Sequence, residues 1–249
     1  MFNKTILTIN TTLGCALAQA EAPKATAPTL SPQQLDAIHL RLENMFEEQD
    51  LVGFQAAVFD QSSISSELNL GYADLEHKVP VGSDTRFEIA SITKSFTGLA
   101  LLQLEESGKI DLDAPIQTTV PDFPVKKAGK ITPRMLSGTM SGIRHYNDTE
   151  RTPAFYATHF QDVSKALVHF KDDPLLFAPG EAVAYTSYGY NLLAAAIQGA
   201  SGEIFQDYVQ RTILSPLGLK DTGFINVRLP LERRSRHYSY IDPISREVL

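Results

Sequence analysis

The 249-residue chain is poor in cysteine, with one, and has no tryptophan. A single cysteine excludes a disulfide framework and a cysteine-based metal cluster. No His-Glu-x-x-His motif occurs, so no metal is expected, and no Gly-x-Ser-x-Gly motif occurs, which disfavours an α/β-hydrolase. Basic residues number 22 against 29 acidic ones, and the net charge of −7 provides no basic surface for nucleic acid or an anionic membrane. The composition, 43% hydrophobic and 20% charged, is that of a soluble globular protein whose function depends on a site.

The N-terminal segment has the pattern of a secretory signal peptide. Lys4 is the only charge before Glu21, and the apolar run Ile6–Ala20 ends in small residues. This pattern predicts a signal peptide over residues 1–20, cleaved after Ala20, and an exported protein that is periplasmic or secreted. The segment is too short and too polar to span a membrane, so no transmembrane segment is expected. Two alternatives remain open, a lipoprotein anchored at Cys15 and an untargeted N-terminus.

A Pro- and Ala-rich tether is predicted at residues 21–30, and residues 31–249 are expected to form one domain. Ser31, Pro32 and Gln34 form a capping-box pattern with proline at the first helical position. Extended runs are predicted at Gly53–Asp60, Glu67–Asp74 and Thr85–Ala90, and helices at Pro32 to about Glu48, Ser91 to Gly108, Pro133–Ser137, Asp162–Lys171, Tyr188–Gly199 and Glu203–Ile213. Strands followed by helices predict an α+β fold rather than alternating βαβ units.

Lys94 is the only charged residue between Ile89 and Leu104, in a helix that is apolar on nearly all sides. Such a helix is expected to be buried, and a buried lysine is rare unless the protein uses it. Ser91 precedes Lys94 by three residues, so the two side chains face each other across one turn. Burial and the positive end of the helix dipole favour a neutral amine that can take a proton from serine. The alternative is an N-cap serine with a lysine that extends to solvent.

A second uncharged stretch, Ala182–Gly202, is rich in Tyr, Thr, Ser, Gly and Asn. Tyr185, Thr186 and Ser187 lie where its helix begins. A tyrosine cluster before a helix is by itself more typical of packing than of catalysis. Beside Ser91 and Lys94, however, a phenol could carry a proton to a leaving group.

These residues resemble the serine β-lactamase and penicillin-binding-protein superfamily, in the branch of class C β-lactamases, D-alanyl-D-alanine carboxypeptidases and related esterases. The resemblance runs from Leu35 to the end of the chain. It rests on five segments: Phe87–Lys94, Gly108–Pro115, Leu136–Tyr146, Phe177–Gly180 and Pro216–Phe224. The segment Leu136–Tyr146 resembles the serine β-lactamase-like proteins of animals and their bacterial relatives. The resemblance implies a β-lactamase/DD-peptidase-like α+β fold with an antiparallel sheet and a helical subdomain.

The resemblance also implies roles for single residues. Ser91 would be the acylated nucleophile, Lys94 its base, and Tyr185 the proton shuttle. Ser187 stands where many members have asparagine, and would contact a substrate amide. The implied activity is that of a serine hydrolase acting through an acyl-enzyme on a small-molecule or peptide substrate, with no cofactor or metal. An esterase using the same residues and a non-catalytic penicillin-binding or scaffold protein are the alternatives.

Gly138 and His145 lie in the segment Leu136–Tyr146. Gly138 replaces a histidine that is common in the family, a change without a physical explanation at this level. His145, in a loop, is interpreted as structural.

The third motif of the family, Lys/His-Thr/Ser-Gly on a sheet strand, is not found at its expected position. In the family it follows the tyrosine motif by well over a hundred residues, whereas 64 residues follow Tyr185 here. Lys220–Gly223 is similar in composition but has the wrong spacing. We therefore expect a truncated or partial domain that lacks the C-terminal sheet strands, with impaired activity because one oxyanion-hole donor would be missing.

Overall fold

The computed structural model describes residues 30–60, 63–150, 158, 160–226 and 231–238. The chain divides into two compact units. Among the described residues, one unit holds residues 30–51 and 55–68, and the other holds Val52–Phe54 and the residues from 69 to 238. The predicted signal peptide lies outside the described residues, as does the predicted tether except for Leu30.

The first unit contains helix α1, Pro32–Glu48, whose start is set by its own sequence. Ser31 Oγ accepts a hydrogen bond from the backbone N–H of Gln34 at 3.3 Å, and Gln34 Oε1 accepts one from the N–H of Ser31 at 2.8 Å. These reciprocal bonds satisfy two N–H groups that have no partner within the helix. Within the same unit, Ser66 Oγ lies 2.6 Å from His39 Nε2. The predicted capping box and helix are confirmed.

Three strands, β1 (Gly53–Asp60), β2 (Ser63–Asp74) and β3 (Val79–Pro80), form a sheet in the order β1-β2-β3. Strands β2 and β3 are antiparallel, with Tyr72 opposite Pro80 and Asp74 opposite Val79. Strand β1 has the predicted bounds, and β2 begins four residues before the predicted Glu67. Strands and helices in separate parts of the chain confirm the predicted α+β class.

The third predicted strand, Thr85–Ala90, is not part of this sheet, and that prediction was wrong. Arg86 instead makes a single parallel bridge with Arg234. Its N–H donates to the carbonyl of Arg233 at 2.7 Å, and its own carbonyl accepts from the N–H of Ser235 at 3.0 Å. The segment is extended at this one position because a distant part of the chain pairs with it there.

The helices lie almost entirely in the second unit. Four α-helices follow the sheet: α2 (Thr93–Glu106), α3 (Pro133–Ser137), α4 (Ser187–Ser201) and α5 (Phe205–Val209). Short 3₁₀ segments occur at Ala90–Ile92, Ile116–Thr118, Asp148–Glu150 and Val163–His169, and one π-helical turn at Gln210–Leu214. No helix in the described ranges is both long and apolar enough to cross a membrane.

Two predicted helices differ in form from the observed ones. In place of the predicted α-helix Asp162–Lys171 the structure has the 3₁₀ segment Val163–His169, which contains two β-branched valines, residues with a reduced preference for the α-helix. The predicted helix Glu203–Ile213 begins later, at Phe205, whose backbone N–H donates to Gln198 Oε1 of α4 at 3.2 Å. This side-chain bond from another helix could not be identified from local periodicity.

Helix α4 lies at the centre of the core of the second unit. It contacts α2, α3, α5 and the 3₁₀ segment Val163–His169. Its buried residues are Tyr188, Gly189, Leu192, Leu193, Ala194, Ala195, Ala196 and Ile197. Gly199 allows close approach to a loop, since a Cβ there would come within 1.9 Å of the carbonyl oxygen of Thr119. An uncharged helix is therefore the element around which the other helices pack.

Helix α2, expected to be buried on nearly all sides, is buried on one side only. Thr97, Ala100, Leu101 and Leu104 are buried. Ile92 before the helix and Leu99 and Leu102 within it are exposed, by 62%, 42% and 53%. The expectation was wrong because α4 and α5 pack against a single face of α2. Lys94 is accordingly half-buried rather than fully enclosed.

Candidate active site

The structure brings together the four residues that the sequence singled out. Ser91 Oγ lies 2.5 Å from Tyr185 Oη. Lys94 Nζ lies 3.1 Å from Ser91 Oγ and 3.3 Å from Ser187 Oγ. Two short motifs about ninety residues apart thus form one cluster of three hydroxyl groups around one amine.

Ser91 lies in the middle of the 3₁₀ turn Ala90–Ile92, immediately before α2. Ala90 has a φ of 42°, in the left-handed region that costs a non-glycine residue about 1–2 kcal/mol. Strained backbone of this kind concentrates at functional sites, where the surrounding structure maintains it. The turn leaves the Ser91 side chain exposed to solvent and places Lys94 one helical turn further on.

Tyr185 and Ser187 reach the same amine because Thr186 between them is extended, with φ of −146° and ψ of 126°. Side chains on either side of an extended residue point the same way. Thr186 itself is 1% exposed, and its Oγ1 accepts from the N–H of Gly189 at 3.0 Å and donates to the carbonyl of Arg144 at 2.8 Å. Thr186 therefore caps α4 and fixes the backbone positions of Tyr185 and Ser187.

The loop that contains Arg144, whose carbonyl accepts the hydrogen bond from Thr186, is stabilised by a cluster of ionic groups. Arg144 donates to both carboxylate oxygens of Glu150, at 2.8 and 2.9 Å, and through Nε to Asp173 at 2.7 Å. The hydrogen bonds from Arg144 lower the pKa of Glu150 to about 2. The guanidinium also lies 5.2 Å from the ring centroid of Tyr188, whose pKa burial raises to about 12. These bonds fix the position of the Arg144 carbonyl to which Thr186 is bound.

The electrostatics of the cluster favour proton transfer through Tyr185. The hydrogen bond from Lys94, followed by that with Ser91, lowers the pKa of the Tyr185 phenol below its usual range. Lys94 Nζ also lies 4.9 Å from the centroid of the Tyr185 ring. A phenol that releases its proton more readily is suited to protonate a leaving group.

His145 was interpreted from the sequence as structural, and the structure places it against the site. Its Nδ1 accepts a hydrogen bond from the backbone N–H of Ser187 at 3.0 Å. Its ring meets that of Tyr185 edge-on, with centroids 5.5 Å apart. The only sequence signal was its position in the matched segment Leu136–Tyr146, because its partners lie about forty residues further along the chain.

Two glycines in that segment have different roles. A Cβ at Gly138 would meet nothing closer than 3.5 Å, so the backbone here accepts a side chain. Gly142 has a φ of 75°, and a Cβ there would lie 2.3 Å from the carbonyl oxygen of Phe177. Gly142 is therefore required by the backbone, whereas the structure provides no reason for glycine at Gly138.

The segment Lys220–Gly223, considered as a substitute third motif, forms a turn and a loop rather than a strand. Its Asp221 accepts hydrogen bonds from Arg86 at 2.6 Å and from Arg233 at 2.8 Å. Asp221 thus forms ion pairs at the surface with two arginines. Among the described residues, no cluster of His, Cys, Asp and Glu has the arrangement needed to hold a metal ion.

Comparison with known proteins gives consistent similarities. A family model described as Beta-lactamase matches residues 35–248. The human serine beta-lactamase-like protein LACTB, mitochondrial, is 30% identical over 287 residues, covering 88% of this chain and 52% of the human protein. A penicillin binding protein from Bacillus halodurans superposes with a TM-score of 0.68 at 26% identity, covering 84% of this chain and 62% of that one.

A further solved structure is that of a D-amino acid amidase from Ochrobactrum anthropi SV3, complexed with L-phenylalanine amide. It superposes with a TM-score of 0.69 at 28% identity, covering 86% of this chain and 61% of the amidase. The chain thus spans about half the length of the human relative and about three fifths of the two solved structures.

Proposed function

Since the chain belongs to the Beta-lactamase family and has the α+β fold of β-lactamases and penicillin-binding proteins, we propose that it is a serine hydrolase that forms an acyl-enzyme at Ser91. The observation that supports this most directly is the contact of Ser91 Oγ with both Tyr185 Oη and Lys94 Nζ. A nucleophile within hydrogen-bond reach of its base is the requirement for activating a serine hydroxyl.

The proposed reaction has two halves. Ser91 Oγ attacks the substrate carbonyl while its proton passes to the lone pair of an unprotonated Lys94 Nζ. The proton taken up there returns through Tyr185 Oη to the leaving amine or alcohol as the bond to the carbonyl carbon breaks. Water then attacks the acyl-enzyme, giving up a proton to the same groups, and releases the acid while Ser91 regains its hydrogen. The lowered pKa of Tyr185 supports this relay, because the phenol can exchange a proton at lower cost.

The proposed substrate is a small amide or a peptide. Ser91 and Tyr185 are both exposed, so a carbonyl group could reach the hydroxyl without displacing protein. The amidase that resembles this chain is complexed with an amino acid amide. Ser187, whose Oγ lies beside Lys94, is the proposed contact for the substrate amide.

Two covalent probes test this proposal, a fluorescent penicillin and a fluorophosphonate, each applied to the wild type, Ser91→Ala and Ser95→Ala. Ser95 is a matched control because it is an exposed serine four residues further along the same stretch. We expect both probes to label the wild type and Ser95→Ala, and neither to label Ser91→Ala.

The other outcomes separate the alternatives. Labelling by fluorophosphonate alone would favour an esterase. Labelling by neither probe would contradict the hydrolase and favour a non-catalytic scaffold. A label that persists in Ser91→Ala would show that Ser91 is not the nucleophile. The proposed export is tested by measuring the intact mass of the protein isolated from its native source. Cleavage after Ala20 would remove residues 1–20 from that mass. Retention of Met1–Ala20 would contradict the proposed export.

A further inference from the structure

The first residue of α4, Ser187, has a backbone N–H without a partner inside the helix, as the first N–H groups of every α-helix do. Thr186 supplies the usual cap, but its Oγ1 serves the N–H of Gly189. The N–H of Ser187 donates instead to Nδ1 of His145, at 3.0 Å. A side chain from another loop thus completes the cap at the point where the proposed active site meets the helix.

The His145 imidazole also contacts Tyr185, the residue that precedes Thr186 in the sequence. The His145 and Tyr185 rings meet at 76°, with centroids 5.5 Å apart. His145 in turn lies against the ring of Tyr146, at a centroid distance of 3.7 Å. One ring therefore contacts Tyr185 and Ser187, two of the three residues that present hydroxyl groups to Lys94.

We propose that His145 is a positioning residue for acyl transfer, acting through the acceptor at Nδ1. The Ser187 N–H bond fixes the backbone on one side of Thr186, and the ring contact restricts Tyr185 on the other. Together they hold Tyr185 Oη at 2.5 Å from Ser91 Oγ and Ser187 Oγ at 3.3 Å from Lys94 Nζ. This inference rests on the proposed hydrolase function and adds a residue whose contribution is geometric.

The test compares three substitutions that separate the acceptor from the ring. In His145→Asn, the amide oxygen takes the place of Nδ1 and the ring is lost. In His145→Phe the ring remains and the acceptor is lost. In His145→Gln an acceptor is present, but it lies one bond further from the backbone than the amide oxygen of asparagine. His77→Phe is the matched control, since that histidine is exposed and pairs with Asp74.

The measured quantities are the rate constant for acylation of Ser91 at saturating probe and the probe concentration for half-saturation. For His145→Phe and His145→Gln we expect the rate constant to fall about 10- to 100-fold, because small misplacement of reacting groups is costly. The probe concentration for half-saturation should change less than the rate constant. His145→Asn should lose less than either of these variants, because it restores the hydrogen bond although the ring contact with Tyr185 is lost. Circular dichroism checks that each variant is folded.

Each result is decisive. Wild-type rates in His145→Phe, or equal losses in His145→Asn and His145→Gln, would overturn the positioning role while the hydrolase function stands. If His145→Phe does not fold, the comparison of Asn with Gln decides alone. If the wild type itself is not acylated at Ser91, the proposed function fails, and this inference fails with it.

Discussion

At the scale of single residues, Lys94 connects every functional group of the site. Its amine contacts the hydroxyls of Ser91 and Ser187 and lies 4.9 Å from the centroid of the Tyr185 ring. Hydrogen bonding to this amine is the main reason that the pKa of Tyr185 is lowered. A single substitution should therefore affect both the activation of the nucleophile and the relay of the proton.

Lys94→Met keeps the length of the side chain and removes the amine. Acylation of Ser91 by either probe should slow by about 10²- to 10⁴-fold, the usual contribution of a general base. Since Lys94 is only half-buried, the thermal midpoint should change little. Lys127→Met, at an exposed position, serves as the control. Acylation of Lys94→Met at the wild-type rate would refute the proposed role of the amine.

The residues of the site differ in how far the sequence alone could identify them. Ser91 and Lys94 were predicted because a single lysine stands in an otherwise uncharged helix with a serine one turn before it, and Tyr185 was added through its chemistry beside them and the family resemblance. The contribution of His145 depends on a bond to the backbone N–H of Ser187. Every residue except proline has such an N–H, so no side-chain pattern at Ser187 could reveal its partner.

At the scale of secondary structure, α4 is the element on which the site depends most, and Thr186 fixes its start. The Thr186 hydroxyl bonds to the N–H of Gly189 and to the carbonyl of Arg144. Both bonds lie at a position that is 1% exposed. They connect the helix cap to the loop that also carries His145.

Thr186→Val has nearly the same shape but cannot make either bond. It should lower the free energy of unfolding by about 1–3 kcal/mol, because a buried donor and a buried acceptor lose their partner. Acylation of Ser91 should slow as well, since Tyr185 and Ser187 flank the cap. Urea denaturation measures the first effect. Thr186→Ser, which keeps the hydroxyl, should lose much less stability, and equal losses in the two variants would contradict this account.

Elements governed by local sequence were predicted well, and those governed by distant contacts were not. The capping box at Ser31 fixed the start of α1, and Pro133–Ser137 was predicted with its observed bounds. The strand expected at Thr85–Ala90 failed because only Arg86 finds a backbone partner, near Arg234. The burial expected for α2 failed because periodicity shows which residues are apolar, not which of them a neighbouring helix covers.

At the scale of the whole molecule, the site is assembled by the core of the second unit. Ser91 and Lys94 lie at the start of α2, and Tyr185 and Ser187 at the start of α4. The two helices pack against each other, so the same apolar contacts that stabilise the unit bring the two motifs within hydrogen-bond distance. A substitution that weakens the packing between α2 and α4 would therefore move Ser91 and Lys94 away from Tyr185 and Ser187, even with all four residues intact.

The Arg144 cluster links the stability of the unit to pH. Arg144 joins Glu150 to Asp173 and also donates to the carbonyl of His169, so two chain segments, residues 144–150 and 169–173, meet at one guanidinium. The pKa of Glu150 is lowered from 4.5 to about 2 in the folded protein. A lowered folded pKa means that the ionised carboxylate stabilises the fold above the unfolded pKa, and that this stabilisation is lost as pH falls from about 5 towards 2.

Glu150→Gln should therefore be less stable than the wild type at neutral pH by about 1–3 kcal/mol, because the neutral amide cannot replace the two bonds to a charged partner. Below pH 5 the gap should narrow, since the wild-type carboxylate becomes protonated while the amide does not titrate. Urea denaturation at a series of pH values measures both free energies. Glu105→Gln, at an exposed position on α2, controls for the loss of one negative charge. A gap between the wild type and Glu150→Gln that stays constant from pH 7 to about pH 3 would contradict the linkage, because it would mean that protonation of Glu150 costs the fold nothing.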